Sequence, residues 1–562
     1  MKKAISIGIQ GFSALREQDC FFVDKTNFIK EWWENRDVVT LITRPRRFGK
    51  TLNMSMLECF FSNKYVNRAD LFEGLSIWQE EAYRKLQGSY PVIFLSFAAV
   101  KAGNLEDAKT QIKQEIARLY RENRNLMKED IFGEDERELY YQTTVKMDDV
   151  TAQDSLRNLS EWMERYYGKK VIILLDEYDT PMQEAYVQGY WDEFTAFVRS
   201  LFNASFKTNP YLERAIMTGI TRVSKESIFS DLNNLQVITT TSDLYADCFG
   251  FTESEVFHVL DEFGMGDKKN EVKQWYDGFT FGEHKDIYNP WSITNYLDKR
   301  KTYPYWASTS SNGLVSRLIR TASADVKEKM EDLLNGREIV VSFDEQIVYN
   351  QLDHNENAIW SLLLARGYLK VKHVDYRGIT REPWYTLDIT NIETLSMFTT
   401  MFQDWFQNQD ANYGYFMKAL INGDLEAMNY YMNKVALATF SYFDVGSGNG
   451  SDPEPERFYH GFVLGLIAER AGIYEIRSNR ESGFGRYDIM MIPQEREKYP
   501  AIIIEFKVCS RMKKETLEEA VQSALDQIVD KNYDAELLSQ GIAADRIRHY
   551  GFAFEGKRVL IG

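Results

Sequence analysis

Three groups of residues in the 562-residue chain have types and spacings that could do chemistry on phosphates. The first is the run Arg44-Pro45-Arg46-Arg47-Phe48-Gly49-Lys50-Thr51. It ends in the G-K-T of a phosphate-binding loop: Gly49 lets backbone amides turn inward, Lys50 can reach β- and γ-phosphates, and the Thr51 hydroxyl can coordinate Mg²⁺ at a helix N-terminus. The full spacing asks for glycine at position 44. Arg44 stands there, so the motif is degenerate and a plain turn before a helix is the alternative. Arg46, Arg47 and Phe48 complete the loop that would bear a nucleotide, with arginines 44–47 where phosphates would arrive.

The second group is Asp176 and Glu177, which leave the apolar run VIILL. In a nucleotide-hydrolysing sheet Asp176 would hold Mg²⁺ through water, and Glu177 would orient or deprotonate the attacking water. The alternative is two solvated residues ending a strand. Downstream, AIMTG ends in Thr218 and Gly219 and is followed by Arg222. Thr218 could sense a γ-phosphate and Arg222 could neutralise transition-state charge. Arg222 acting on a neighbouring copy would require a homo-oligomer.

The third group lies near the C-terminus, where Asp488 starts an apolar strand and AIIIEFKV carries Glu505 and Lys507. Residues two apart on a strand share a face, so Glu505 and Lys507 project together while Ile504 and Phe506 face the other way. An Asp and a Glu from adjacent strands are oxygen ligands for Mg²⁺, and a lysine beside them can position water or stabilise phosphorane charge. That is the layout for metal-assisted phosphodiester hydrolysis; an exposed strand edge with a charge pair is the alternative. Glu505 sits inside an otherwise apolar run, where an unpaired charge would be costly. Arg511, Lys513 and Lys514 add local positive charge.

These residues need elements to position them. VVTLI (38–42), PVIFLSF (91–97), VIILLDE (171–177) and AIMTG (215–219) are apolar without alternation and are separated by long helical stretches. That pattern predicts a parallel sheet covered on both faces. From about residue 250 to 445 the texture becomes mostly helical, broken by the aromatic loops WYDGFTFG (275–282) and IYNPWSI (287–293) and a short strand-like WYTLDI. Aromatic packing between domains is the expected role of those loops, since nothing basic interleaves them; base stacking is the alternative. GSGNGSDPEPE (446–456) resists helix and reads as a linker. After it, Phe458, Phe462, Leu466 and Ile467 mark an amphipathic helix, followed by two strands and a helix over 516–533.

Length allows roughly three to four domains at about 150 residues each, which excludes a lone binding module. The balance of 67 Lys+Arg against 84 Asp+Glu leaves −17, with 44% hydrophobic and 27% charged residues, an ordinary globular composition. Such acidity argues against coating nucleic acid through bulk charge but not against a local basic cleft. The four cysteines, Cys20, Cys59, Cys248 and Cys509, include no CxxC pair, so neither a zinc module nor a disulfide framework is expected. The N-terminal apolar run breaks too soon for a signal peptide, and no run approaches a membrane span. A cytoplasmic protein without a membrane partner is expected.

In this order, GIQGFSALREQDCFFVDKT, LITRPRRFGKTL, LLDEYDTP, TGITRVSKESIFSDLNN, WYDGFTFG, YNPWSI, RYDIMMIP and IIIEFKV resemble the bacterial AAA-ATPase-like family whose members end in a PD-(D/E)XK nuclease-superfamily domain. The resemblance spans essentially the whole chain, and arginine at the first loop glycine is usual in that family. It implies an α/β multidomain protein: a P-loop NTPase parallel sheet in 1–250, a helical region in 251–445, the linker 446–456, and a PD-(D/E)XK-type α/β domain in 457–562. It implies Lys50 and Thr51 on ATP and Mg²⁺, Asp176 and Glu177 as the acidic pair, Phe22 to Thr26 near the base, and Asp488, Glu505 and Lys507 as the nuclease core. A role in defence or mobile-element biology also follows by analogy.

The leading expectation is an ATPase coupled to a Mg²⁺-dependent nuclease acting on nucleic acid, DNA first. The alternative is an ATP-driven signalling switch whose C-terminal domain only binds nucleic acid or a protein partner. A third reading, a scaffold with two vestigial sites, is opposed by the retained Lys50, Asp176, Glu177, Asp488, Glu505 and Lys507.

Overall fold

A computed structural model describes residues 3–128, 131–222, 228–229, 232–307, 313–334, 336–345, 349, 352, 355–407, 413–439, 463, 473–482, 485–509, 515–555 and 558–562. The expected linker 446–456, the helix expected over 458–470 apart from Val463, and Arg511, Lys513 and Lys514 lie outside them. The chain divides into two compact units, one of residues 1–310 and 340–394, the other of 311–339 and 395–562. The region 251–445 is therefore shared between the units.

The first unit is built on a five-stranded sheet of β1 (Val39–Thr43), β2 (Val92–Ser96), β3 (Val171–Asp176), β4 (Leu212–Gly219) and β5 (Leu235–Ile238). Its order is β2-β3-β4-β1-β5 and every pairing is parallel, so all five C-terminal ends share one edge. Every residue of β1 and β3 is buried, as strands covered on both faces must be. Ile42, Ile172, Leu174, Ile216 and Ile238 form one core with Met54, Leu57 and Phe61 of the helix Lys50–Phe61. The fifth strand has no long apolar run to announce it; pairing with β1 makes it a strand.

Two small three-stranded sheets interrupt the helices that follow. Strands β6 (Phe251–Thr252), β7 (Phe279–Phe281) and β8 (His284–Tyr288) form one, in the order β6-β8-β7. Strands β9 (Ile339–Val341), β10 (Leu369–Arg377) and β11 (Glu382–Ile389) form the other, in the order β10-β11-β9. The aromatic loop expected at 275–282 thus begins as the end of the helix Lys269–Tyr276 and finishes in β7.

The second unit carries a mixed sheet of β12 (Tyr474–Ser482), β13 (Gly485–Pro493), β14 (Ala501–Val508), β15 (Ile547–Glu555) and β16 (Arg558–Ile561), in that order. All pairings are antiparallel except β14 with β15. Ile489, Met491, Ile502, Ile504 and Phe506 face one core, together with Phe416, Leu420, Met428 and Met432 from the helices Tyr413–Asn422 and Leu425–Thr439. Met490, Ile492, Ala501 and Ile503 face the other, with Ile528, Tyr533 and Leu537. The period-two alternation read from AIIIEFKV thus divides the two cores.

Candidate functional site

In the first unit the phosphate loop joins the end of β1 to the helix Lys50–Phe61. Arg47 and Gly49 both have left-handed backbone, with φ of 67° and 82°. Gly49 tolerates this freely; Arg47 does so at a cost of about 1 kcal/mol, and such residues cluster where a loop is shaped for a ligand. Lys50 is buried, and its ammonium donates to the carbonyls of Arg44 and Pro45, both at 2.9 Å. Burial lowers its pKa, opposed by the negative charge of Glu177, Asp176 and Asp179.

Asp176 ends β3, and β4 lies between β3 and β1. Thr51 Oγ1 donates to Asp176 Oδ2 at 2.7 Å, and Thr218 Oγ1 donates to Oδ1 at 2.5 Å. Burial raises the Asp176 pKa, while these hydroxyls and Lys50 lower it. Thr218 therefore holds Asp176 rather than standing free as a phosphate sensor. Glu177 follows with φ of 51°, and its carboxylate accepts from Thr180 Oγ1 at 3.0 Å. A Thr51 hydroxyl already touching the Asp176 carboxylate is a donor set suited to Mg²⁺ with phosphate oxygens beside it.

Two neighbours in the same DEYD stretch fix the exit of β4. Tyr178 donates to the Thr221 carbonyl at 2.7 Å. The Asp179 carboxylate accepts from the amides of Ile220 (2.9 Å) and Thr221 (2.7 Å) and from the Thr221 hydroxyl (2.8 Å). Gly219 permits this approach, because a Cβ there would lie 2.7 Å from both Asp179 Oδ1 and the Tyr178 ring. Arg222 comes next and lines a small cleft with Thr43, Thr239, Thr240 and Glu345. Tyr178 and Asp179 went unread in the sequence because their partners lie over 40 residues away, with no pattern of their own.

Two expectations for the loop need correction. Arg44 does not face arriving phosphates: its guanidinium is wholly buried, donates to the carbonyls of Thr43 and Thr239 at 3.0 and 2.7 Å, and lies 4.4 Å from the Phe281 ring centroid. Carbonyls engage its two terminal nitrogens but not Nε, and burial pushes its pKa down to about 9. The Phe48 side chain is likewise buried, edge-on to Phe279 and Phe281, so only its backbone could meet a nucleotide. Arg46 is half-buried, and Arg47 is exposed with its guanidinium 4.3 Å from the Trp291 ring centroid. The aromatic loops thus pack on the phosphate loop, both lying in the first unit.

In the second unit β13 and β14 bring Asp488 and Glu505 together. The Asp488 amide donates to Glu505 Oε2 at 3.4 Å, and the Phe506 amide donates to Asp488 Oδ2 at 2.7 Å. Lys507 Nζ lies 3.5 Å from Glu505 Oε1. Glu505 is 2% exposed, and burial, with the charge of Asp488, pushes its carboxyl up to about 8 against the pull of Lys507. Gln527, from the helix Leu517–Asp530, was missed by sequence reasoning: its amide donates to Glu505 Oε1, and its carbonyl accepts from Lys507 at 2.7 Å. Gly551, paired with Glu505 across β14 and β15, lets that helix close in, since a Cβ there would stand 2.7 Å from the Val521 carbonyl. Two carboxylates and a lysine at a strand edge can hold a divalent cation and direct a nucleophile at phosphorus.

Comparison with known proteins assigns the two regions separately. Residues 6–229 match the family described as "AAA-ATPase_like: Predicted AAA-ATPase", and residues 454–562 match the PD-(D/E)XK nuclease superfamily. The chain carries an AAA-ATPase-like domain and a C-terminal PD-(D/E)XK nuclease-superfamily domain. It is also 27% identical over 399 residues to an uncharacterized protein in the vnfD 5′ region of Azotobacter chroococcum mcd 1, covering 70% of this chain and 68% of that protein. Among the described residues no helix is long and apolar enough to cross a membrane.

Proposed function

We propose that the chain binds and hydrolyses ATP in its first unit and cleaves phosphodiesters, DNA first, with Mg²⁺ in its second. The observation that carries this reading is one pairing found in both units: a buried carboxylate that feels the charge of a lysine, Asp176 at the end of β3 with Lys50 and Glu505 within β14 with Lys507.

In the first unit Lys50 would exchange its two loop carbonyls for phosphate oxygens. Thr51 and Asp176 would hold Mg²⁺, which when bound neutralises phosphate charge. Glu177 would orient the attacking water, its carboxylate aimed by Thr180 and by the left-handed turn after β3. Arg222 would meet the charge that develops on the transferred phosphoryl group.

In the second unit Asp488 and Glu505 would hold Mg²⁺, which when bound supplies Lewis acidity at the scissile phosphate. Lys507 lies on the same strand face and would orient the attacking water, and Gln527 fixes Lys507 against Glu505.

The full chain, incubated with ATP, Mg²⁺ and single-stranded, linear duplex and supercoiled DNA, is expected to hydrolyse ATP and cut at least one DNA form. Hydrolysis that persists in Lys50→Ala overturns the first half. Cleavage that persists in Asp488→Ala or Glu505→Ala overturns the second. One observation favours a second reading, an ATP-driven switch whose C-terminal domain only binds: Glu505 is already engaged by Lys507 and Gln527. ATP turnover without metal-dependent cleavage of any DNA would select it.

A further inference from the structure

An open cavity of about 420 Å³ in the first unit is lined by Trp291, Asn295, Lys299, Lys301, Tyr303 and Tyr305. One wall is a single face of the helix Pro290–Lys299, where Trp291, Asn295 and Lys299 recur every four residues over about 12 Å of axis. The other wall is the segment 301–305 that follows. Buried bonds hold the walls together. Trp291 Nε1 donates to the Tyr305 carbonyl at 3.2 Å, and the buried Glu393 carboxylate accepts from the Ser292 hydroxyl (2.8 Å) and the Trp306 amide (2.6 Å).

The lining chemistry is specific. The half-buried Trp291 and the exposed Tyr303 offer ring surface beside the buried Tyr305, and the exposed Lys299 and Lys301 offer ammonium groups. Lys299 Nζ is held 2.8 Å from Asn295 Oδ1 and 4.8 Å from the Tyr305 ring centroid. No carboxylate is among the lining residues described. Rings with cations and no acid suit a ligand that is flat, aromatic and anionic. The lysines are brought beside the aromatic loop by the turn after the helix, which answers the absence of interleaved basic residues in IYNPWSI itself.

The helix Pro290–Lys299 and its cap touch the phosphate loop at two points. Trp291 carries the Arg47 guanidinium on its ring. Asn289 caps the helix by accepting from the amides of Trp291 (2.9 Å) and Ser292 (3.4 Å), and its own amide donates to the Arg46 carbonyl at 3.2 Å.

We propose that this cavity binds a nucleotide unit separate from the one on the phosphate loop, with its base against Trp291, Tyr303 and Tyr305 and its phosphate on Lys299 and Lys301, and that occupancy reaches the loop through Arg47 and Asn289. The unit can be a free nucleotide or one residue of a nucleic-acid strand. The binding half stands on the cavity alone; the coupling half rests on the phosphate-loop reading above.

Photo-crosslinking of the full chain with azidoadenosine monophosphate and with a short iododeoxyuridine-substituted oligodeoxynucleotide, mapped by mass spectrometry, tests the binding half. Adducts within residues 291–305 are expected, and the probe that gives them identifies the source. The double variant Lys299→Glu, Lys301→Glu should lower their yield roughly tenfold, while Lys50→Ala should leave it unchanged. Absence of adducts there with both probes, or a yield indifferent to the charge reversals, overturns the site. Adducts lost in Lys50→Ala and kept by the charge reversals overturn its separateness, because the ligand is then the loop's own nucleotide.

For the coupling half, the labelling probe should change the ATP hydrolysis rate of the wild type by at least about twofold and leave that of Arg47→Ala unmoved. A wild-type rate indifferent to the probe overturns the coupling. A wild type that hydrolyses no ATP overturns the phosphate-loop reading, and the coupling with it, while leaving the adduct map intact.

Discussion

Asp176, at the end of β3, and Glu505, within the central strand β14, are both buried carboxylates, yet their neighbours differ. Each oxygen of Asp176 accepts a hydroxyl hydrogen, one from Thr51 and one from Thr218. Among the described residues Glu505 has no hydroxyl partner; Lys507 and Gln527 crowd one oxygen, while the other takes a long bond from the Asp488 amide. Burial raises the pKa of Asp176 too, with the charge of Glu177 adding to the rise, but two hydroxyls and Lys50 work against it. A buried carboxylate facing a second one is pushed toward neutrality, which for Glu505 means about 8. Hydroxyl donors thus oppose neutralisation at the first site, while a lysine and one backbone amide oppose it at the second.

The largest effects should come from removing the charges. Asp488→Asn or Glu505→Gln is expected to lower DNA cleavage about a thousandfold, and Lys50→Ala to lower ATP hydrolysis about a hundredfold. Single-turnover assays on full-length variants would read both. Cross-effects sharpen the comparison: if Glu505→Gln leaves ATP turnover intact while Lys50→Ala abolishes cleavage, the first site gates the second.

Next in size is a change that looks like a repair. Arg44→Gly restores the glycine of the full phosphate-loop spacing but removes a buried guanidinium bonded to backbone carbonyls and packed on Phe281. Leaving those carbonyls without partners should cost on the order of 2–4 kcal/mol of stability in denaturant titration. Nucleotide affinity should not improve. A variant as stable as wild type would show that the loop's order does not depend on Arg44.

The pattern of what the sequence disclosed follows from the range of the interactions. Phosphate-loop residues and strand-end carboxylates announce themselves because each motif is local: G-K-T before a helix, Asp176 ending VIILL, Glu505 within AIIIEFKV. Arg44 could not be placed, since its partners at 239 and 281 are fixed by tertiary packing. Gln527 is invisible for the same reason: on an amphipathic helix it is one polar residue among several until the close approach at Gly551 turns it toward Glu505. The strands β12, β15 and β16 that flank the strands of Asp488 and Glu505 were likewise not read, although β13 and β14 were.

Smaller effects should follow from loosening the groups that hold each carboxylate. Thr218→Val removes a hydroxyl from Asp176, and Gln527→Ala removes the bridge between Glu505 and Lys507. Each should weaken metal-dependent activity at its own site roughly tenfold, in the range of other indirect supports of metal ligands. Because Asp176 keeps Thr51, Mg²⁺ titrations should show Thr218→Val as a shift in metal requirement. Gln527→Ala should instead show a lower maximal cleavage rate, since Lys507 loses its fixed position. The reverse assignment would break the comparison.

The smallest expected effect is the most direct test of the contrast, because it needs neither substrate nor metal. Glu505 has a folded-state pKa of about 8 against an ordinary value of 4.5. Below the lower value it is protonated in both the folded and the unfolded chain, and its full favourable contribution as a neutral group is present. As pH climbs from 4.5 toward 8 the unfolded chain releases a proton that the folded chain retains, so this contribution is progressively lost. Glu505→Gln keeps a neutral side chain of the same shape at every pH. Thermal unfolding in chelator should therefore find the variant equal to wild type near pH 4.5 and more stable above pH 8. The loss of attraction to Lys507 offsets part of that gain, leaving on the order of 1 kcal/mol. Asp176→Asn in the same experiment should gain less, or lose, because the Thr51 and Thr218 hydroxyls favour the charged form that asparagine cannot supply. Equal gains at the two positions would mean that the hydroxyls do not set the first site apart.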